Sequence, residues 1–69
     1  MTRITLAYQG ILVEYVDGDI TCTLNGEPRG QYTMGATMIV GSTVLSVEIR
    51  RAIHAAITEV LESATVGLG

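Results

Sequence analysis

The first 25 residues alternate between apolar and polar positions with a period of two. This period is typical of β-strands that bury one face. Gln9-Gly10 and Asp17-Gly18 interrupt the alternation, and each pair suits a two-residue hairpin loop. The pattern therefore predicts a three-stranded antiparallel meander over residues 3–25.

Both turns select the same strand register. A two-residue first turn places Tyr8 opposite Ile11, and a two-residue second turn places Tyr15 opposite Ile20. All four side chains then share one face of the sheet, and a slip of one residue would move part of this set to the other face. The predicted core face consists of Ile4, Leu6, Tyr8, Ile11, Val13, Tyr15, Ile20, Cys22 and Leu24. The other face is mostly polar.

The opposite face of the meander also carries Leu12 and Val16 among its polar residues. Two large apolar side chains on a solvent-facing surface indicate a second contact surface.

The segment after the meander is less regular. Residues 25–30 are predicted to form a loop, because Pro28 cannot donate to a strand ladder and Gly30 weakens a strand. Arg29 would then lie at the tip of that loop. Residues 31–40 are predicted to contain a short edge strand from Gln31, followed by either a fifth strand or a strap that leads to the helix.

A helical period begins near residue 46. Ser46 is predicted to be the N-cap, with Ser42 as the alternative. Glu48 lies in the first turn, where the helix dipole favours an acidic side chain. One apolar arc contains Ile49, Ala52, Ile53, Ala56, Ile57, Val60 and Ala64. The pattern predicts one helix over residues 46–65, with Gly67 as the residue just beyond its end.

The predicted helix is longer than the strands beside it, at about 27 Å against about 20 Å for six strand residues. It is also apolar over more than one face. We therefore expect the helix to pair with a second copy through Val47, Ile57 and Leu61. The sequence thus predicts an α+β fold in which an antiparallel meander of three to five strands precedes one long C-terminal helix, and which forms a dimer.

Composition narrows the possible functions. The chain has 69 residues, which suits one small domain, and it is 48% hydrophobic and 16% charged, which argues against disorder. Its formal charge is −3 and it has no lysine, so binding to nucleic acid or to an anionic membrane is not expected. A domain this small is only marginally stable, and one cysteine cannot form an internal disulfide, so we expect a dimer. A lone cysteine also favours a reducing compartment, which is the cytoplasm.

Two residues could support chemistry. Cys22 is predicted to lie on the core face, where a free cysteine acts as a small apolar side chain. His54 has no acidic or thiol ligand at helical spacing on its own face of the helix. We therefore expect no catalytic residue, no metal and no cofactor, and we interpret the chain as not being an enzyme.

The residues predicted to bind a partner lie near the helix start and in the 25–30 loop. They are Arg29, Tyr32, Arg50, Arg51 and His54. Arginine and tyrosine are enriched among interface hot spots. For Tyr32 and Arg29 an alternative remains open, in which Tyr32 covers the end of the core and Arg29 is solvated. For Arg50 and Arg51 the alternative is a solvated helix face.

The hairpins ITLAYQGILVEYVDGDITCTL and the helix SVEIRRAIHAAITEVLESA, in a chain of this length, resemble the small accessory proteins of temperate bacteriophages. The chain is similar in size and expected dimeric form to phage quorum-sensing anti-activators, which bind a host transcription factor, and to anti-CRISPR proteins. This resemblance implies a non-catalytic, homodimeric inhibitor of a host protein in the host cytoplasm.

Two alternatives to an inhibitor remain open. The first is a structural or assembly subunit of a phage or cellular complex. The second is a small dimeric DNA-binding regulator that uses Arg50, Arg51 and His54.

Overall fold

The chain forms one five-stranded antiparallel sheet followed by one helix. A computed structural model describes residues 1–68, with side chains for residues 1–64. The elements are β1 Arg3–Tyr8, β2 Ile11–Val16, β3 Asp19–Leu24, β4 Glu27–Met34, β5 Ile39–Gly41 and α1 Val47–Leu68. The strands lie in chain order. The predicted α+β class and meander are confirmed.

The first two hairpins have the register that the sequence predicts. Tyr8 pairs with Ile11, and Tyr15 pairs with both Ile4 and Ile20. Both turn residues have positive φ in each hairpin, at 48° and 83° in the first and 48° and 96° in the second. This geometry is that of type I′ turns, which match the twist of the strands they join.

The predicted loop over residues 25–30 is wrong, because β4 begins at Glu27. Asn25 and Gly26 form a third tight turn, with φ values of 53° and 81°. Thr21 pairs with Gln31, but Thr23 pairs with Pro28, so β4 carries one extra residue at a bulge. Leu24 and Glu27 flank the turn and bond to each other, so the nitrogen of Pro28 points away from β3, and β5 pairs only with residues 32–34. Proline therefore costs no ladder bond there, and the φ of 100° at Gly30 suits the bulge.

Residues 35–41 contain both a bend and a strand. The N–H of Gly35 donates to the carbonyl of Met38 at 2.9 Å and closes the bend. Ile39 then begins β5, pairs with Met34 and is fully buried. The fifth-strand alternative is therefore confirmed for three residues.

Helix α1 covers one face of the sheet. Ile53 and Ile57 are fully buried in a core with Ile11, Val13, Ile20, Cys22, Tyr32, Ile39 and Leu45. The remaining predicted core residues of the meander pack against this cluster and are half-buried. Helix α1 thus covers only one of the two faces of the sheet.

Helix α1 begins where the sequence predicts and ends later. The Ser46 hydroxyl accepts from the N–H of Ile49 at 3.3 Å, which confirms Ser46 as the N-cap. The predicted end at residue 65 is wrong, because the helix runs to Leu68. Gly67, predicted as the residue just beyond the end, falls within this range.

Candidate interaction surfaces

Tyr32 is not the exposed contact residue that the sequence predicts. Its side chain is 3% exposed. Its hydroxyl donates to the carbonyl of Arg29 at 2.6 Å and accepts from the N–H of Leu45 at 3.3 Å. Tyr32 therefore covers the end of the core, as the open alternative states, and its phenol serves the fold.

Arg50 extends the same hydrogen-bond chain. Its Nε donates to the carbonyl of Leu45 at 3.0 Å, so both backbone groups of Leu45 are held by side chains. We call this set the Tyr32 clasp: the Arg29 carbonyl, the Tyr32 hydroxyl, the Leu45 backbone and the Arg50 guanidinium. The clasp fixes the segment before α1 to strand β4. The guanidinium predicted to meet a partner thus has an internal bond.

The other predicted contact residues are separated. His54 is half-buried, and its Nε2 lies 2.9 Å from the carbonyl of Gly35, to which it can donate. Arg29 lies in β4 rather than at a loop tip, and its Nη1 is 3.5 Å from the Glu27 carboxylate. Arg51 is exposed on the helix. Tyr32, Arg50 and His54 all bond within the chain, so these five residues do not form one free surface.

The three residues predicted for the dimer interface differ in how far they are exposed to solvent. Ile57 is fully buried beneath α1, so its assignment to a contact between copies is wrong. The reason is that the apolar arc of α1 faces its own sheet. Val47 is 42% exposed, whereas Leu61 is partly buried against the core.

Cys22 is buried, and burial raises the pKa of its thiol, which keeps it protonated and unreactive. Within the part of the chain that the structure describes, no three His, Cys, Asp or Glu side chains are grouped to hold a metal ion.

No element among the described residues covers the face of the sheet opposite α1, and we call it the outer face. Successive strand pairings align its side chains in rows across the sheet. One row runs through Ala7, Leu12, Thr23 and Pro28, and each member pairs with the next. We call it the apolar row. Leu12 is 43% exposed, and Ala7 and Pro28 are exposed too.

The row beside the apolar row is polar. It runs through Thr5, Glu14, Thr21 and Gln31. On the β3–β5 side this row borders a shallow depression of about 480 Å³, lined by Asp19, Ile20, Thr21, Gln31, Tyr32, Thr33, Val40 and Gly41. The outer face thus combines an apolar strip with hydroxyl, amide and carboxylate groups.

The sequence identified only part of the outer face. Leu12 is exposed as expected, whereas Val16 is half-buried. Pro28 and Val40 were missed, because their positions depend on the tight turn at Asn25-Gly26 and on the existence of β5. The alternation of Ile39 and Val40 was the available signal for the latter.

A second surface lies along strand β1, which forms one edge of the sheet. There the C-terminal half of α1 and β1 enclose a groove of about 400 Å³, lined by Leu6, Ala7, Ala56, Glu59, Val60 and Ser63. Val60 is 43% exposed in this groove.

The comparisons with known proteins give no family: the chain matches no family model, and neither the curated proteins nor the solved structures gave a significant match. Among the described residues, no helix has both the length and the apolar character needed to cross a membrane.

Proposed function

We propose that this chain is a non-catalytic protein-binding module that docks its outer face on another protein. The observation that carries the proposal is the apolar row, in which Leu12 stands exposed between Ala7 and Thr23 beside a row of polar groups. Protein interfaces combine an apolar centre with a polar surround in this way.

The regularity of the outer face supports this assignment. Its five strands, about 4.8 Å apart and about 20 Å long, span about 400 Å². A regular sheet also holds its side chains rigidly, which reduces the entropy lost on binding.

We propose further that the module acts as an inhibitor of a host protein. A single small domain with this fold can inhibit by occupying a surface that its target needs for another contact. The architectural resemblance to small phage accessory proteins supports this role. The target surface should be apolar at its centre, with groups that can hydrogen-bond to Glu14, Thr21 and Gln31.

Replacement of Leu12 by glutamate tests the docking face. Leu12 is exposed, so Leu12→Glu should leave the fold intact while it places a charge in the middle of the apolar row. Ala55→Glu is the matched control, because Ala55 is exposed on α1, away from the outer face. The measurement is quantitative mass spectrometry of proteins retained from a bacterial lysate by the immobilised chain.

The proposal expects a protein retained in stoichiometric amount by the wild type and by Ala55→Glu, and at least tenfold less by Leu12→Glu. That loss corresponds to about 1.4 kcal/mol or more of binding free energy. Retention of the same protein in equal amount by Leu12→Glu would refute the assignment of the outer face.

A further inference from the structure

Within the part of the chain that the structure describes, strand β1 has no neighbouring strand on its outer edge and leaves a row of backbone groups without strand partners. Tyr8 and Ile11 flank a two-residue turn and bond to each other, so Leu6 and Ile4 also direct their backbone groups towards β2. The N–H and C=O groups of Arg3, Thr5 and Ala7 consequently point away from the sheet. An edge of this kind can accept another strand.

The β1 edge also lacks the features that usually prevent such pairing. Its register with β2 is unbroken by a bulge, and it contains neither proline nor lysine. Its one charge, Arg3, is at its end. Natural edge strands are commonly protected by a proline, a bulge, an inward charge or short length. The opposite edge, β5, has the last of these protections, with three residues.

We propose that a second copy of this chain pairs with β1 in antiparallel orientation, about a two-fold axis that passes through Thr5. Thr5 then pairs with Thr5 of the other copy, and Arg3 pairs with Ala7. Because the three unpaired residues are spaced evenly about Thr5, this register satisfies the outward backbone groups of both copies at once.

The side chains on the helix side fit the same register. Ile4 of one copy comes opposite Leu6 of the other, and Leu6 lines the groove beneath Ala56 and Val60. Ile4 and Leu6 are both half-buried in one copy, although both pack against its core. Each copy therefore inserts an apolar side chain beside the groove of its partner, and the two grooves are filled reciprocally.

The size of this surface favours a second copy over a single added strand. The β1 edge is about 20 Å long, and the sheet with its helix layer is about 20 Å deep. Such a face is about 400 Å² per copy, which is below the about 600 Å² per partner at which stable specific interfaces begin, so we expect a weak dimer. A lone peptide strand would leave the exposed side of Val60 and the groove wall uncovered.

Sedimentation across the micromolar range tests whether the dimer exists. The wild type should change from monomer to dimer. Thr5→Pro should remain monomeric, with at least a tenfold weaker association, because it removes the central N–H from an edge position where the monomer does not use it. Thr5→Val is the matched control and should dimerise like the wild type. Wild-type chain that stays monomeric at about 500 µM would overturn the proposal.

A second variant guards against a folding defect in Thr5→Pro. Val60→Glu places a charge in the groove at an exposed helix position, and Ala55→Glu places the same charge outside it. Val60→Glu should be monomeric with a wild-type circular dichroism spectrum, and Ala55→Glu should be dimeric. Dimerisation of Val60→Glu with wild-type affinity would contradict the proposed interface.

Disulfide trapping tests the register directly. Paired Cα atoms in an antiparallel sheet lie about 5.5 Å apart, which a disulfide can span. In a Cys22→Ala background, Thr5→Cys should cross-link to itself under oxidised glutathione. Arg3→Cys should not cross-link to itself but should link to Ala7→Cys. A dimer that fails this pattern pairs through another surface, which would refute the proposal.

This dimer is independent of what the outer face binds. Leu12 pairs with Ala7 of β1, but its side chain lies on the outer face. The proposed dimer instead joins β1 backbone groups and the groove on the helix side, so Leu12→Glu should lose partner capture and still dimerise. The failure of either proposal is therefore distinguishable from the failure of the other.

Discussion

The Tyr32 clasp predicts that Tyr32→Phe destabilises the fold strongly. The substitution keeps the buried ring and removes only the hydroxyl, which donates to the Arg29 carbonyl and accepts from the Leu45 N–H. Two backbone groups then lose their partner, and the N–H of Leu45 is buried. A buried group left without a hydrogen bond costs about 1–3 kcal/mol. We therefore expect a loss of about 2–3 kcal/mol.

This loss is large for a chain of this size. A domain of 69 residues has a free energy of unfolding of about 3–10 kcal/mol. At about 4–8 °C per kcal/mol, the melting temperature should fall by roughly 10–20 °C. Thermal unfolding followed by circular dichroism, at one fixed protein concentration, measures this change.

Tyr15→Phe is the matched control for Tyr32→Phe. Tyr15 is half-buried on the same side of the sheet, and its ring packs against the core. Its replacement should change the free energy of unfolding by less than about 0.5 kcal/mol. If Tyr32→Phe melts within a few degrees of Tyr15→Phe (about 0.5 kcal/mol in stability), the clasp does not hold the segment before α1 as described.

The stability of the fold should also depend on Arg50, Gly30 and Cys22. Arg50→Gln should lower the free energy of unfolding by about 1–2 kcal/mol through loss of the bond to the Leu45 carbonyl, whereas Arg51→Gln should change it by less than about 0.5 kcal/mol; urea denaturation compares the two. Gly30→Ala should destabilise the fold by more than about 1 kcal/mol, because φ is 100° there and a Cβ would collide with the Ser42 side chain; unchanged urea unfolding would disprove this packing. Burial raises the pKa of the Cys22 thiol, so the native state holds this proton more tightly than the unfolded state, and stability should fall as the pH rises past the ordinary thiol value of 9.0. A Cys22→Ala variant with the same dependence above this pH would assign the effect to other groups.

The sequence predicted the meander and its register because two local signals agreed. Each turn is specified by two adjacent residues, and each pairing places apolar side chains on one face. The pairing of β4 was not predictable in the same way. Pro28 argues against a strand unless its nitrogen faces no neighbouring strand, and that depends on the pairing of β4 with β3 and on where β5 ends.

The candidate contact residues were less predictable for a related reason. The acceptor and donor of the Tyr32 hydroxyl are backbone groups, one of them 13 residues away in the chain. Neither Tyr32 nor Arg50 carries a local signal that separates an internal hydrogen bond from a contact with another protein. Ile57 was misassigned because the helical period identifies an apolar arc but does not state which neighbour covers it.

Site-specific photocross-linking tests the account of the outer face most directly. Leu12 is replaced by the photoreactive residue benzoylphenylalanine, and Ala55 is replaced likewise as the control on the helix. In irradiated bacterial cells that contain the target, the account predicts a covalent adduct of one defined mass from position 12 and none from position 55. The same adduct from position 55, with none from position 12, would contradict it.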